Sequence, residues 1–161
     1  LAYQKGYDII IERMSEMKSN LNFNLLILGS GELENDLKQL VISKGLSDYV
    51  RFIGYRKNVS SYIRYADALL LSSRYEGFPN IVLEANSLGK PVFSNSCKGG
   101  INEIIINGSN GLACDFTNKE DFQNGLHEFL GTKFDESKIV ELTSSRYSIE
   151  TIIKKYINFF S

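Results

Sequence analysis

Ala68–Gly89 reads ALLLSSRYEGFPNIVLEANSLG: an unbroken apolar run, a polar loop, and a helical pattern that stops at glycine. Ala68–Leu71 has the length and character of a buried strand. Residues 72–79 form the loop. A helix is expected over 80–88, with Pro79 suited to its first turn, where a missing N–H carries no penalty. Gly89 is its natural stop. A strand that is apolar throughout is covered on both faces, which is the habit of parallel sheets flanked by helices.

The same unit recurs on either side. Helical spacing over 5–18 precedes a strand at 23–28 (FNLLIL), which ends at Gly29-Ser30-Gly31. A helix over 32–44 follows, then a strand at 50–53, a short helix over 58–64 capped by Asn58, and the Ala68 strand. Downstream, a strand at 91–94, a short helix over 101–106 and a strand at 111–114 complete the alternation. From there the pattern is helical only: one helix around 122–130, another over 136–143, and a last one from Ile149 to Phe160 capped by Ser148. These elements predict an α/β, Rossmann-like, doubly wound parallel sheet with helices on both faces. Ligands of such sheets bind at the carboxyl ends of the strands, here loops 29–31, 54–57, 72–79, 95–100 and 115–117.

The 161 residues suit one domain, 43% hydrophobic and 23% charged. Eighteen basic against nineteen acidic residues give a net charge of -1, so no basic excess points to nucleic acid. Cys97 and Cys114 lie far apart and read as reduced core thiols of a cytoplasmic protein. No apolar run approaches the roughly 20 residues that span a bilayer. The first residues, LAYQKGYD, resemble no signal peptide, and without an initiator Met the chain is expected to start inside a longer polypeptide.

Loop 72–79 is the richest in chemistry. It offers Ser72, Ser73, Arg74, Glu76 and Gly77 before Asn80. The backbone N–H groups of residues 80–82 are expected to face the crevice, where a helix start suits a phosphate. Gly77 lets backbone approach a ligand. Glu76 and Glu84 bracket that point, and a carboxylate can accept both hydroxyls of a vicinal diol. Each is otherwise an ordinary solvated or capping residue. Arg74 reads as a solvated loop residue, Glu103 as either a site residue or a first-turn acid, and His127 as surface. The final helix reads as core or an interdomain brace.

Glu76-x7-Glu84 within SRYEGFPNIVLEANSLGKPV resembles the signature of retaining glycosyltransferases with the GT-B fold, group 1 or family 4 type. LAYQKGYDIII, LLILGSGELENDLKQLVISKGLSDYVRFIGY and KGGINEIIINGSNGLAC resemble that family's other motifs in the same order, covering roughly residues 3–115. The resemblance implies the C-terminal, donor-binding domain of a two-domain enzyme, without the N-terminal acceptor domain. Glu76 then contacts hydroxyls of the transferred sugar and Glu84 holds the ribose. Lys5 binds the diphosphate, with Lys5 and Glu76 the catalytic pair. Ser73 and the Gly77, Phe78, Pro79, Asn80, Ile81 and Val82 backbone cradle sugar and phosphate. Tyr55 and Arg56 flank the base, while Gly29 and Gly31 leave room for the donor.

The partner so implied is a nucleoside diphosphate sugar, a UDP-sugar ahead of a GDP-sugar, with a hexosyl group passing to a glycan or lipid-linked acceptor. The setting is bacterial-type surface polysaccharide or glycolipid synthesis, in the cytoplasm or at the inner membrane face with peripheral membrane association. No cofactor and no metal is implied, since Lys5 and the helix start can stabilise the leaving diphosphate. Competing readings are a sugar-nucleotide epimerase of the same fold and a non-catalytic nucleotide-binding domain. The resemblance also implies that the first strand of the sheet, central in the order 3-2-1-4-5-6, is absent. Two outcomes are expected: the strands at 23–28 and 67–71 close up, or another chain or terminus fills the slot.

Overall fold

The computed structural model describes residues 1–160. A 3-10 turn at Tyr3–Lys5 leads into α1 (Tyr7–Glu16), and a second 3-10 turn, Lys18–Asn20, precedes β1 (Leu25–Leu28). Then come α2 (Glu34–Ser43), β2 (Val50–Gly54), α3 (Val59–Tyr65), β3 (Leu69–Leu71) and α4 (Asn80–Ser87). They are followed by β4 (Val92–Asn95), α5 (Ile101–Ile104), β5 (Gly111–Cys114), α6 (Lys119–Gly131), α7 (Glu136–Tyr147) and α8 (Ile149–Phe160). The predicted strands and helices are all present, with ends displaced by a few residues.

Local chemistry explains the boundaries. The Asn58 side chain accepts the Ser61 N–H, capping α3, and Ser148 Oγ accepts the Thr151 N–H, capping α8. Asn118 and Asp135 cap α6 and α7 in the same way. The helix expected over 5–18 is broken at Gly6, whose φ of 62° no regular helix accommodates.

All strand pairs are parallel, and neighbouring residues along a strand enter opposite cores. Val92 joins a cluster with Ile63, Val82, Ile101 and Ile104, from α3, α4 and α5. Phe93 joins the other cluster, with Ile10 and Met14 of α1, Val41 of α2, and Phe122 and Phe129 of α6. Helices therefore cover both faces, as a doubly wound fold requires. Phe93 sits in a ring cluster with Phe116, Phe122 and Phe129 at centroid distances of 4.8, 5.7 and 5.2 Å. Cys97 and Cys114 are buried and free, and burial pushes the Cys114 thiol up to about 12.

The single sheet of the sequence reading is corrected. β1 pairs β2, β3 pairs β4 and β4 pairs β5, giving two separate parallel sheets. β1 and β3 do not close up, and among the described residues no strand lies between them. Residues 1–6 instead cross from the carboxyl end of one sheet to that of the other. Leu1 is bonded to Ser30 O and accepts the Leu33 N–H, while Lys5 O accepts from Ser72 Oγ and Gln4 O from the Arg74 N–H. The shared core under α1, where Ile10, Ile11 and Met14 are fully buried, holds the sheets together without a hydrogen-bonded strand between them. Leu26, mid-strand in β1, is left 46% exposed.

For the final helix the structure removes the first of its two readings, core, and leaves the interdomain brace. Its apolar face is not core: Ile149, Ile153, Tyr156, Ile157, Phe159 and Phe160 are all exposed. Among the described residues no helix is long and apolar enough to cross a membrane.

Candidate functional site

β3 ends at Leu71 and delivers Ser72–Phe78 onto the carboxyl edge of its sheet. The backbone of this loop is fixed from two sides. Asn95, buried at the end of β4, donates to Ser73 O at 2.9 Å and accepts the Phe116 N–H beyond β5 at 2.9 Å. The Gly99-Gly100 turn lies so close that a Cβ on Gly99 would meet Glu76 O at 1.5 Å. Glu76 N donates to Lys98 O and Gly100 N to Gly77 O.

Upon this base the side chains converge. Lys5 Nζ lies 2.8 Å from Glu76 Oε1, and Ser73 Oγ donates to the same oxygen at 2.7 Å. The Glu76 side chain is only 10% exposed and that of Lys5 43%. Burial, then the Glu76 charge, raises the Tyr7 phenol above its ordinary range and does the same for the Cys97 thiol. The carboxylate is thus held by a cation and a hydroxyl. Such a group can accept hydroxyl donors from a ligand, and the half-exposed ammonium can meet an anion.

A second group forms around α3. Ser60 Oγ donates to Glu84 Oε1 of α4, and the Tyr62 hydroxyl accepts Arg56 Nε at 3.1 Å. Tyr55 is 67% exposed just beyond β2. Two residues apart on one short helix, Ser60 and Tyr62 therefore tie Glu84 and Arg56 to a common support. Among the described residues Glu76 and Glu84 share no hydrogen-bond partner.

Other expected site residues fall as follows. Gly77 is exposed, and a Cβ there meets open space. Phe78 is half-exposed and packs edge-on against Tyr147 of α7 at 6.3 Å. The Val82 side chain is fully buried, so only its backbone can serve a ligand. The N–H groups expected to be free in the first turn of α4 are in part engaged: Asn80 N donates to Phe78 O and Val82 N to Pro79 O. The room beside Gly31 is filled by Leu1, since a Cβ there would meet Leu1 N at 1.7 Å. His127 is exposed on α6, as expected of a surface residue. Among the described residues no three His, Cys, Asp or Glu side chains cluster to hold a metal ion.

Several contributors escaped the sequence reading: Asn95, Ser60, Tyr7 and Asp8. Asn95 alone carried a signal, as an amide closing an apolar strand at a ligand-binding edge. Arg74 is not a solvated loop residue: its guanidinium is held by Asp8 and lies over the Tyr3 ring.

Parallel strands covered by helices, with a cation and two carboxylates near their carboxyl ends, define a doubly wound domain, a class whose ligands bind at that edge. The chain belongs to the glycosyl transferases group 1 family, whose model matches residues 1–142. An uncharacterised glycosyltransferase of Haemophilus influenzae is 31% identical over 156 residues, 94% of this chain and 44% of that protein. The amylovoran biosynthesis glycosyltransferase AmsD of Erwinia amylovora is 26% identical over 159 residues, 97% of this chain and 44% of that protein. The chain thus spans less than half the length of these relatives.

Among solved structures, the lipopolysaccharide outer core galactosyltransferase WaaB superposes with a TM-score of 0.84 at 24% identity, covering 98% of this chain and 46% of that one. HepE from Anabaena, solved with UDP and glucose, has a TM-score of 0.79 at 21% identity, covering 99% of this chain and 46% of that one. These likenesses establish a shared fold, that of GT-B glycosyltransferases.

Proposed function

We propose that this chain is the donor-binding half of a retaining glycosyltransferase that takes a hexosyl group from a UDP-sugar. The observation that carries the proposal is the Lys5–Glu76–Ser73 cluster on the carboxyl edge of the β3 sheet. In this reading Glu76 accepts hydroxyls of the transferred sugar. Lys5 leaves its ion pair for the diphosphate and stabilises the charge that grows as the anomeric C–O bond breaks. Glu84, oriented by Ser60, accepts the ribose hydroxyls. Tyr55 and Arg56 flank the base, and the Gly77–Val82 backbone lines the sugar and phosphates. The UDP bound to HepE supports the choice of nucleotide, and AmsD supports a role in polysaccharide synthesis. The acceptor, a glycan or lipid-linked sugar, is assigned to a further domain of the same polypeptide, and the whole enzyme to the cytoplasmic membrane face. No divalent metal is required at the diphosphate, so chelator should leave binding unchanged.

Calorimetric titration with UDP, UDP-sugars and GDP tests this directly. UDP should bind weakly and better than GDP, with no sugar transferred by the chain alone. Glu84→Ala should lower UDP affinity about tenfold, the loss of a charged hydrogen bond. Glu76→Ala should lower it less. Folded protein that binds nothing at millimolar ligand would refute the donor site; the reverse order of the two variants would exchange their roles.

A further inference from the structure

We propose that Arg74 and Asp8 act as a positioning pair that sets Lys5 opposite Glu76, so that nucleoside diphosphate affinity depends on both of them through Lys5. The inference rests on the donor-site reading above. Lys5 closes a three-residue 3-10 turn, too short to hold its own place. Its side chain is a flexible four-carbon stem, so the position of the ammonium follows from how the backbone beneath it is pinned.

That backbone is pinned almost entirely to the Arg74 loop. Arg74 Nη1 and Nη2 reach Asp8 Oδ1 and Oδ2 at 2.8 and 2.5 Å, a bidentate fork. Nη1 also donates to Tyr3 O at 2.9 Å, and the guanidinium carbon lies 3.9 Å from the Tyr3 ring centroid. Arg74 N donates to Gln4 O, Gln4 Nε2 to Tyr75 O, and Ser72 Oγ to Lys5 O. Lys5 is therefore gripped from the residues before it and from Asp8 after it. The Arg74 side chain touches both flanks, Tyr3 on one side and Asp8 on the other.

The Arg74 side chain is 21% exposed and that of Asp8 43%, so the fork is partly withdrawn from water. The Arg74 hydrogen bonds hold the Asp8 carboxyl below its ordinary range against the opposing effect of burial. A lysine at 74 would keep the charge and lose the fork.

The test is a double-mutant cycle read by UDP calorimetry on Asp8→Asn, Arg74→Lys, Lys5→Ala and Asp8→Asn with Lys5→Ala. Asp8→Asn and Arg74→Lys should each weaken UDP binding about fivefold while circular dichroism stays unchanged. In the Lys5→Ala background, Asp8→Asn should change affinity by less than about twofold. An equal effect in both backgrounds overturns the proposal, because Asp8 would then not act through Lys5. Full affinity in both single variants overturns it too.

If the wild-type chain binds no nucleotide, the donor reading fails, and the pair is judged by the reductive methylation rate of the Lys5 amine, followed by mass spectrometry. That rate should rise severalfold in Asp8→Asn and in Arg74→Lys relative to exposed Lys138. An unchanged Lys5 rate refutes the positioning role whatever the ligand. Should Arg74→Lys fail to fold, Asp8→Asn carries both measurements.

Discussion

Gly6 adopts a φ of 62°, and a Cβ at this position would lie 2.1 Å from Ser72 O. Both facts follow from its place between the Lys5 turn and α1, where the chain turns sharply against the end of β3. Gly6→Ala combines a left-handed backbone penalty with a backbone collision, so urea unfolding should show a loss of about 2 kcal/mol or more. UDP affinity should fall with it, since Lys5 is the adjacent residue. A variant as stable as wild type would mean that the turn can relax away from β3. Glu76 and Lys5 were legible from the sequence through motif resemblance. Asp8 was not, because nothing within its own segment marks an acid that reaches a loop 66 positions away.

At the scale of elements, the turn before α1 and the loop after β3 behave as one unit joined by the Asp8–Arg74 fork. A carboxyl whose folded pKa is depressed contributes stability above its unfolded value and loses it as pH falls through the folded one. Asp8 is such a group, held down first by its Arg74 hydrogen bond, from an ordinary value of 3.8. Asp115, held down first by its Thr117 hydrogen bond, acts with the same sign. Thermal unfolding followed from pH 7 to about pH 3 should show stability falling below about pH 4. Asp8→Asn should be less stable at neutral pH and show a shallower fall. An unaltered acid limb would mean the fork contributes nothing to the fold, as many exposed ion pairs do not. Element positions were legible because apolar runs and helical spacing are local signals. The bend at Gly6 was not, since the helical spacing of Tyr7, Ile10, Ile11 and Met14 reads smoothly into the residues before it.

Across the whole molecule, α8 adds little to the core. None of its residues is buried, and its apolar face is exposed from Ile149 to Phe160. Removing residues 149–161 should therefore leave the unfolding temperature within about 3 °C of wild type and lower the tendency to associate. Sedimentation and calorimetry would check both. A large drop in stability would mean that α8 packs on α7 more firmly than its exposure indicates. The gap between β1 and β3 belongs to this scale as well. The family resemblance implied that β1 and β3 flank a central position, and the structure shows that they do not pair there. Phe93, Phe122 and Ile10 share one cluster with Ile27, which joins the two sheets underneath.

The sequence by itself determined the alternation of parallel strands and helices and their two-sided cover, and its motif resemblance singled out Lys5, Glu76 and Glu84 as candidates for a donor site. These are written in local periodicity, in glycine stops and in motifs whose spacing a single segment carries. Only the tertiary structure decided how the site is held. Asn95 under Ser73, Gly99 against Glu76, Ser60 on Glu84 and Asp8 on Arg74 are contacts between segments distant in the chain. The physical reason is that a hydrogen bond depends on where two groups meet in space, and no periodicity within either segment records that meeting.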